Sequence, residues 1–231
     1  MANPWVEFGG PKERLLSRLR SCDIILSDLD GTDTPSTGTR EVLRYSASHI
    51  FDGNFLGWVW RAARACVLDR HIDRTHLWHG FARRFLSDPS EKERLRKRYT
   101  PKHASALLYP GVADFYRCLP CAEKMYVTKT VHEIVIAFAQ ANAFDLIFAE
   151  VYDKAHLTQQ IVEKFAHRRR YLVKGDTHHD EAMLDVLYWH KKKRTIDDVV
   201  GINVCKDESR INPRFDINIG RDYQALVRTL P

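Results

Sequence analysis

No apolar run in this chain approaches the ~20 residues that a membrane-crossing helix requires. The first 22 residues carry charges and Gly9-Gly10-Pro11 in place of the apolar core of a signal peptide, so the expected location is cytoplasmic. Cysteines number only five, an odd count that argues for free thiols rather than a disulfide framework. Cys118-Leu119-Pro120-Cys121 has the spacing of a redox pair. It falls between a helical stretch and a strand, however, whereas a thioredoxin-type pair opens a helix after a strand. Two partly buried thiols at a helix end are the expectation. Zinc would need a second ligand pair. His76 and His79 sit three apart on an expected helix, but Trp78 and Phe81 beside them mark a packed helix face.

What is present describes a globular protein. Apolar residues make up 44% and charged residues 29% of 231, which excludes a disordered chain and suits one main domain with an insertion. Lysines and arginines exceed acidic residues by 36 to 30, giving a net charge of +6. The basic residues gather at 61–102, at Arg168-Arg169-Arg170 and at Lys191-Lys192-Lys193-Arg194. A positive surface attracts phosphate-bearing partners. Without a recognisable nucleic-acid-binding module these runs read as solvated helix ends, where cations suit the dipole. What survives is a bias toward small anionic substrates.

The most informative segment is Ile24-Ile25-Leu26-Ser27-Asp28-Leu29-Asp30-Gly31-Thr32. A short apolar strand delivers two carboxylates, two residues apart and so facing the same way, into a glycine turn that a ligand can approach closely. One carboxylate can attack an electrophile while the other handles a proton or helps hold a metal.

This segment resembles the first motif of the haloacid dehalogenase superfamily, an apolar strand followed by DxDGT, and three further motifs follow in the family's order. Met125-Tyr126-Val127-Thr128 supplies a threonine ending a second strand, before Lys129-Thr130 and a helical stretch over 131–139. Lys154, opening a helical pattern that runs to Phe165, stands where the phosphoserine-phosphatase-like and phosphoglycolate-phosphatase-like members place a lysine. Lys164 and Lys174 compete for that role. Gly175-Asp176-Thr177-His178-His179-Asp180 looks like the family's GDxxxD, with Asp176 and Asp180 as the acidic pair.

Strand candidates at 23–27, 124–128, 145–150, 171–174, 198–204 and 215–219 alternate with helical patterns. That alternation predicts an α/β fold: a doubly wound, mostly parallel sheet covered on both faces. A short amphipathic helix is expected over 11–19. Ligands bind at the carboxyl ends of the strands in such sheets, where all four motifs converge. The interval 33–108 breaks the alternation. It holds helical signatures such as Phe55, Val59, Ala62 and Cys66, then Leu77, Trp78, Phe81 and Phe85, and Pro89 and Pro101 mark helix starts. It resembles the family's helical cap inserted after motif one. The expected division is a core of 1–38 and 106–231 with a cap of 39–105, the cap excluding water and setting specificity. Trp58, Trp60, Arg61 and Arg64 are cap residues able to line the substrate or simply to pack and be solvated.

The resemblance implies a Mg²⁺-dependent phosphatase acting on a small phosphorylated metabolite. Asp28 would be the nucleophile, forming an aspartyl-phosphate, and Asp30 the general acid/base. Thr128 and Lys154 would bind the phosphoryl oxygens. Asp28, Asp176 and the backbone carbonyl of Asp30 would hold the metal, with Asp180 supporting the metal waters or orienting Lys154. A phosphomutase and a non-catalytic, partner-binding descendant are the alternatives; Asp30 argues against the dehalogenase branch, which lacks it. One departure stands out: the residue after Gly31-Thr32 is usually apolar in the family, and here it is Asp33. That carboxylate either perturbs the acid/base pair or faces solvent.

Overall fold

A computed structural model describes residues 5–35, 42, 86, 88–119, 123–165 and 169–230. Its centre is a seven-stranded sheet of β1 (Val6–Phe8), β2 (Ile24–Ser27), β3 (Glu123–Val127), β4 (Leu146–Phe148), β5 (Arg170–Gly175), β6 (Asp198–Cys205) and β7 (Ile217–Gly220). The order across the sheet is β1-β7-β6-β5-β2-β3-β4. All neighbours are parallel except β1, which pairs antiparallel with β7. This is the expected α/β architecture. The added edge strand β1 has three residues, too few for a periodic signal.

Eight helices are found among the described residues: α1 (Lys12–Arg20), α2 (Pro89–Arg98), α3 (Pro101–Leu107), α4 (Val112–Cys118), α5 (His132–Asn142), α6 (Lys154–Lys164), α7 (His178–Lys192) and α8 (Gln224–Val227). None is long and apolar enough to cross a membrane. The strand alternation sorts them between two faces. Ile24, Leu26, Met125, Val127, Tyr171 and Val173 bury on one face against Ile161 and Val162 of α6 and Met183, Leu184 and Leu187 of α7. Ile25 and Leu172 point the other way, toward Leu15, Leu16 and Leu19 of α1, Val112 and Phe115 of α4, and Leu226 of α8. Each such aliphatic or aromatic side chain contributes about 1.5–3 kcal/mol when fully buried.

Helices α2 and α3 begin at Pro89 and Pro101, each at the first helical position, with Asp88 and Thr100 capping them through side-chain oxygens. Leu95, Tyr99 and Ala104 of this pair pack with Val42 and Leu86 against Ile134, Val135 and Phe138 of α5. The remainder of the expected cap, including Trp58, Trp60, Arg61, Arg64, His76 and His79, lies outside the described residues, as does Cys121. Cys118 is half-buried at the end of α4, and Cys22 and Cys205 are buried and free.

The chain runs from β2 to β3 to β4 on one side of the sheet and then returns to β5 on the other side of β2. Strands β2 and β5 therefore straddle the point where the winding reverses, which is where open α/β sheets form their ligand crevice. Register sharpens the placement. Ser27 is level with both Tyr126 and Lys174, so Asp28, Thr128 and Asp176 leave the sheet within a residue or two of one another.

Candidate active site

Asp28, Asp176 and Asp180 converge at this reversal point, each offering a carboxylate oxygen within 4.8 Å of the others. Lys154, the first residue of α6, reaches into the cluster: its Nζ lies 2.9 Å from Asp28 Oδ1 and 2.6 Å from Asp180 Oδ1, and its side chain is 3% exposed. Two anchors aim α6 in this direction. The loop entering it is tied to motif two, because the Glu150 N–H donates to Thr130 O at 3.0 Å and the Val151 N–H to Thr128 O at 2.9 Å. Asp153 then caps the helix by accepting from the His156 N–H.

Asp180 is the third residue of α7 and is fully engaged. Its Oδ2 accepts from the N–H groups of Asp176 and Thr177 and from the Thr177 hydroxyl, each at 3.0 Å, while its Oδ1 takes Lys154. Asp176 is the opposite case. Its Oδ1 is buried and has no hydrogen-bond partner. Burial, and then the neighbouring Asp28 and Asp180 carboxylates, push Asp176 up to about 8. Burial likewise raises Asp28 to about 6 against the pull of Lys154. Burial works against the Lys154 ammonium, but Asp180 and Asp28 outweigh it and hold the group above its ordinary value. A buried set of hard oxygen donors with one orphaned oxygen and a shortage of positive charge fits a divalent cation such as Mg²⁺.

Two glycines make the cluster possible. Gly31 has φ +79°, and a Cβ there would stand 2.0 Å from Asp176 Oδ2. A Cβ on Gly175 would stand 2.2 Å from Asp180 Cβ. The GT and GD halves of the motifs are thus steric requirements of packing two carboxylate-bearing turns face to face.

Asp30 lies outside the three-carboxylate cluster and belongs to a hydroxyl chain. Thr128 donates to Thr130 Oγ1 at 3.2 Å, and Thr130 donates to Asp30 Oδ2 at 2.5 Å. The sequence reading passed over Thr130 as a helix opener; the i, i+2 repeat Thr128/Thr130, echoing Asp28/Asp30, was the available signal. His178 and His179 begin α7 with ring centroids 4.0 Å apart. Burial, then Lys129 and His178, lower His179.

The competing lysines go elsewhere. Lys164, at the far end of α6, lies over the Phe165 ring. Lys174 is level with Ser27 and therefore faces the opposite side of the sheet from the cluster, where it pairs with Asp33. Both are fully buried, so Asp33 neither faces solvent nor joins the acid/base pair.

No protein-family model matches the chain, and no curated protein matches it. Among solved structures, it is similar to cytosolic 5'-nucleotidase IIIB bound to cytidine, with a TM-score of 0.57 and 14% identity over 97% of this chain and 92% of that one. At that identity the likeness speaks to architecture, and the architecture is the one the motifs implied: a Rossmann-type core of the haloacid dehalogenase kind.

Proposed function

We propose that the chain is a phosphatase that hydrolyses a small phosphorylated substrate through an aspartyl-phosphate on Asp28. The observation that carries this reading is Lys154 bridging Asp28 and Asp180 inside a buried three-carboxylate cluster at the carboxyl end of β2 and β5. An ordinary turn carboxylate has no reason to be buried beside two others.

Asp28 supplies the attacking oxygen; its bond to phosphorus forms as the bond to the leaving alcohol breaks. Asp30, aimed by Thr130, gives that alcohol its proton, then takes one from the water that attacks phosphorus and frees Asp28. Lys154 spends two of its three N–H donors on carboxylates and keeps one for a phosphoryl oxygen. The Thr128 hydroxyl sits at the same strand-end level and completes the phosphoryl pocket. Mg²⁺, held by Asp28 and Asp176 with the Asp30 carbonyl, would neutralise the substrate dianion so that a carboxylate can approach it. Asp180, with every lone pair in use, serves to fix Lys154 rather than to bind metal. Residues 39–105 would form the lid.

The test is phosphate release with Mg²⁺ from an aryl phosphate, from nucleoside 5'-monophosphates and from a panel of sugar phosphates. The nucleotides belong in the panel because the structural neighbour is a nucleotidase. Conversion of a sugar bisphosphate without net release would favour a mutase. No release from any substrate would leave the partner-binding reading.

A further inference from the structure

Behind the catalytic turn, on the other face of the sheet, a buried charge pair gathers six elements. Asp33 Oδ1 receives the Lys174 ammonium, and Asp33 Oδ2 accepts from the Tyr116 hydroxyl at 2.8 Å and the Tyr126 hydroxyl at 2.9 Å. Tyr126 is itself held by Asn142 Nδ2 at 3.0 Å. The Lys174 ammonium lies 4.2, 4.7 and 5.2 Å from the ring centres of Tyr116, Tyr223 and Phe115. Asp33 and Lys174 are both 0% exposed. So complete a desolvation is costly, and an apolar pair of similar volume would serve packing as well or better.

The same network fastens the backbone that carries Asp28 and Asp30. The Asp33 N–H donates to Leu29 O at 2.9 Å, and the Gly31 N–H donates to Thr34 O at 2.8 Å. The Tyr223 hydroxyl donates to Thr32 O at 2.8 Å. The Ser27 hydroxyl, 3.0 Å from the Tyr116 hydroxyl, donates to Asp28 O at 2.7 Å, and the Asp28 N–H donates to Lys174 O at 2.9 Å. One end of the network is a fixed charge on strand β5; the other is the turn bearing both candidate catalytic carboxylates.

We propose that Asp33 and Lys174 are positioning residues: the ion pair locks the Asp28–Thr34 turn so that Asp28 and Asp30 are held in line with the phosphoryl group. The proposal rests on the phosphatase reading for its catalytic part. The geometric part stands apart from it, since locking of the turn is observable without turnover.

The decisive variant is Asp33→Asn/Lys174→Met. Asn keeps an acceptor for the tyrosines, and Met keeps the length of the lysine stem, so no lone buried charge is left to unfold the protein. Two measurements are made on it: kcat and KM for the best substrate, and amide hydrogen exchange along the chain. The expected result is a folded protein with KM nearly unchanged and kcat lowered about tenfold or more, as loss of alignment predicts. Exchange should accelerate across residues 28–34 while β5 and β6 stay protected. Lys174→Arg, which keeps the charge, should restore part of the lost protection relative to Lys174→Met. Unchanged exchange across 28–34 in the folded double variant overturns the proposal whatever its activity. Faster exchange with a wild-type kcat also overturns it. If the wild-type protein hydrolyses nothing, the phosphatase reading fails on its own, and the exchange measurement still decides whether the pair locks the turn.

Discussion

The Thr130 hydroxyl donates to Asp30 Oδ2 at 2.5 Å, at the end of a chain that begins on Thr128. The second motif therefore does more than close the phosphoryl pocket: through Thr130 it sets the direction of the carboxylate assigned to proton transfer. Thr130→Val keeps the branched shape and removes the donor. It should lower kcat about tenfold with little change in KM or in melting temperature, whereas Thr130→Ser should retain most activity. Steady-state kinetics on the folded variants decides it, and a wild-type kcat for Thr130→Val would show that Asp30 is aimed by something else.

Asp28→Asn should abolish turnover while leaving the fold intact. Asn is nearly isosteric but cannot form an acyl-phosphate, and loss of a nucleophile costs orders of magnitude in rate. Substantial phosphate release by the purified, folded variant would remove Asp28 from the nucleophile's role.

Lys154→Met should be strongly destabilising as well as inactive. It leaves Asp28 and Asp180, which are 6% and 0% exposed, without their shared cation. Removing one partner of a buried ion pair typically costs about 3–5 kcal/mol. Denaturant unfolding of wild type and variant measures the loss, and a change below ~1 kcal/mol would mean that the pair is far better solvated than its burial implies.

In chelator, stability should fall as pH rises. Burial and neighbouring carboxylates place Asp176 at about 8, and burial places Asp28 at about 6, both above the unfolded carboxylate value near ~3.9. Between the unfolded and folded values the native state holds more protons than the unfolded state, so the slope of stability with pH is negative over roughly pH 4 to 8. Mg²⁺ should raise the melting temperature more at pH 8 than at pH 5, because only the ionised cluster binds it. Asp176→Asn should flatten the chelated profile. A melting temperature that climbs from pH 5 to pH 8 in chelator would contradict the assignment.

Chelation should silence catalysis, Mg²⁺ should restore it, and Ca²⁺ should substitute poorly, because it takes more ligands at longer distances and spoils in-line alignment. Asp176→Ala should raise the Mg²⁺ concentration needed for half-maximal activity far more than Asp180→Ala does. Asp180→Ala should instead lower kcat through Lys154. Metal titrations of both variants separate the two roles, and full activity in excess chelator would exclude a metal site of this kind.

The sequence alone carried the strand-and-turn units, because their signals are local. An apolar run ending in Asp28-Leu29-Asp30-Gly31-Thr32 declares a buried strand and a tight turn, and Pro89 and Pro101 declare helix starts whatever the fold around them. Alternation of such units implied a parallel sheet with the motif residues at one end. Which lysine enters the site was a different kind of question. Lys154, Lys164 and Lys174 are chemically identical, and the choice rests on register: Lys174 is level with Ser27, and a one-residue offset in a strand reverses the face. The place of Asp33 was equally hidden, since its partners Lys174, Tyr116, Tyr126 and Tyr223 lie 83 to 190 residues away along the chain. Local pattern determines which groups leave the ends of which strands. Only the packing of the sheet against its helices decides which of those groups meet, because burial and charge act across space and not along the chain.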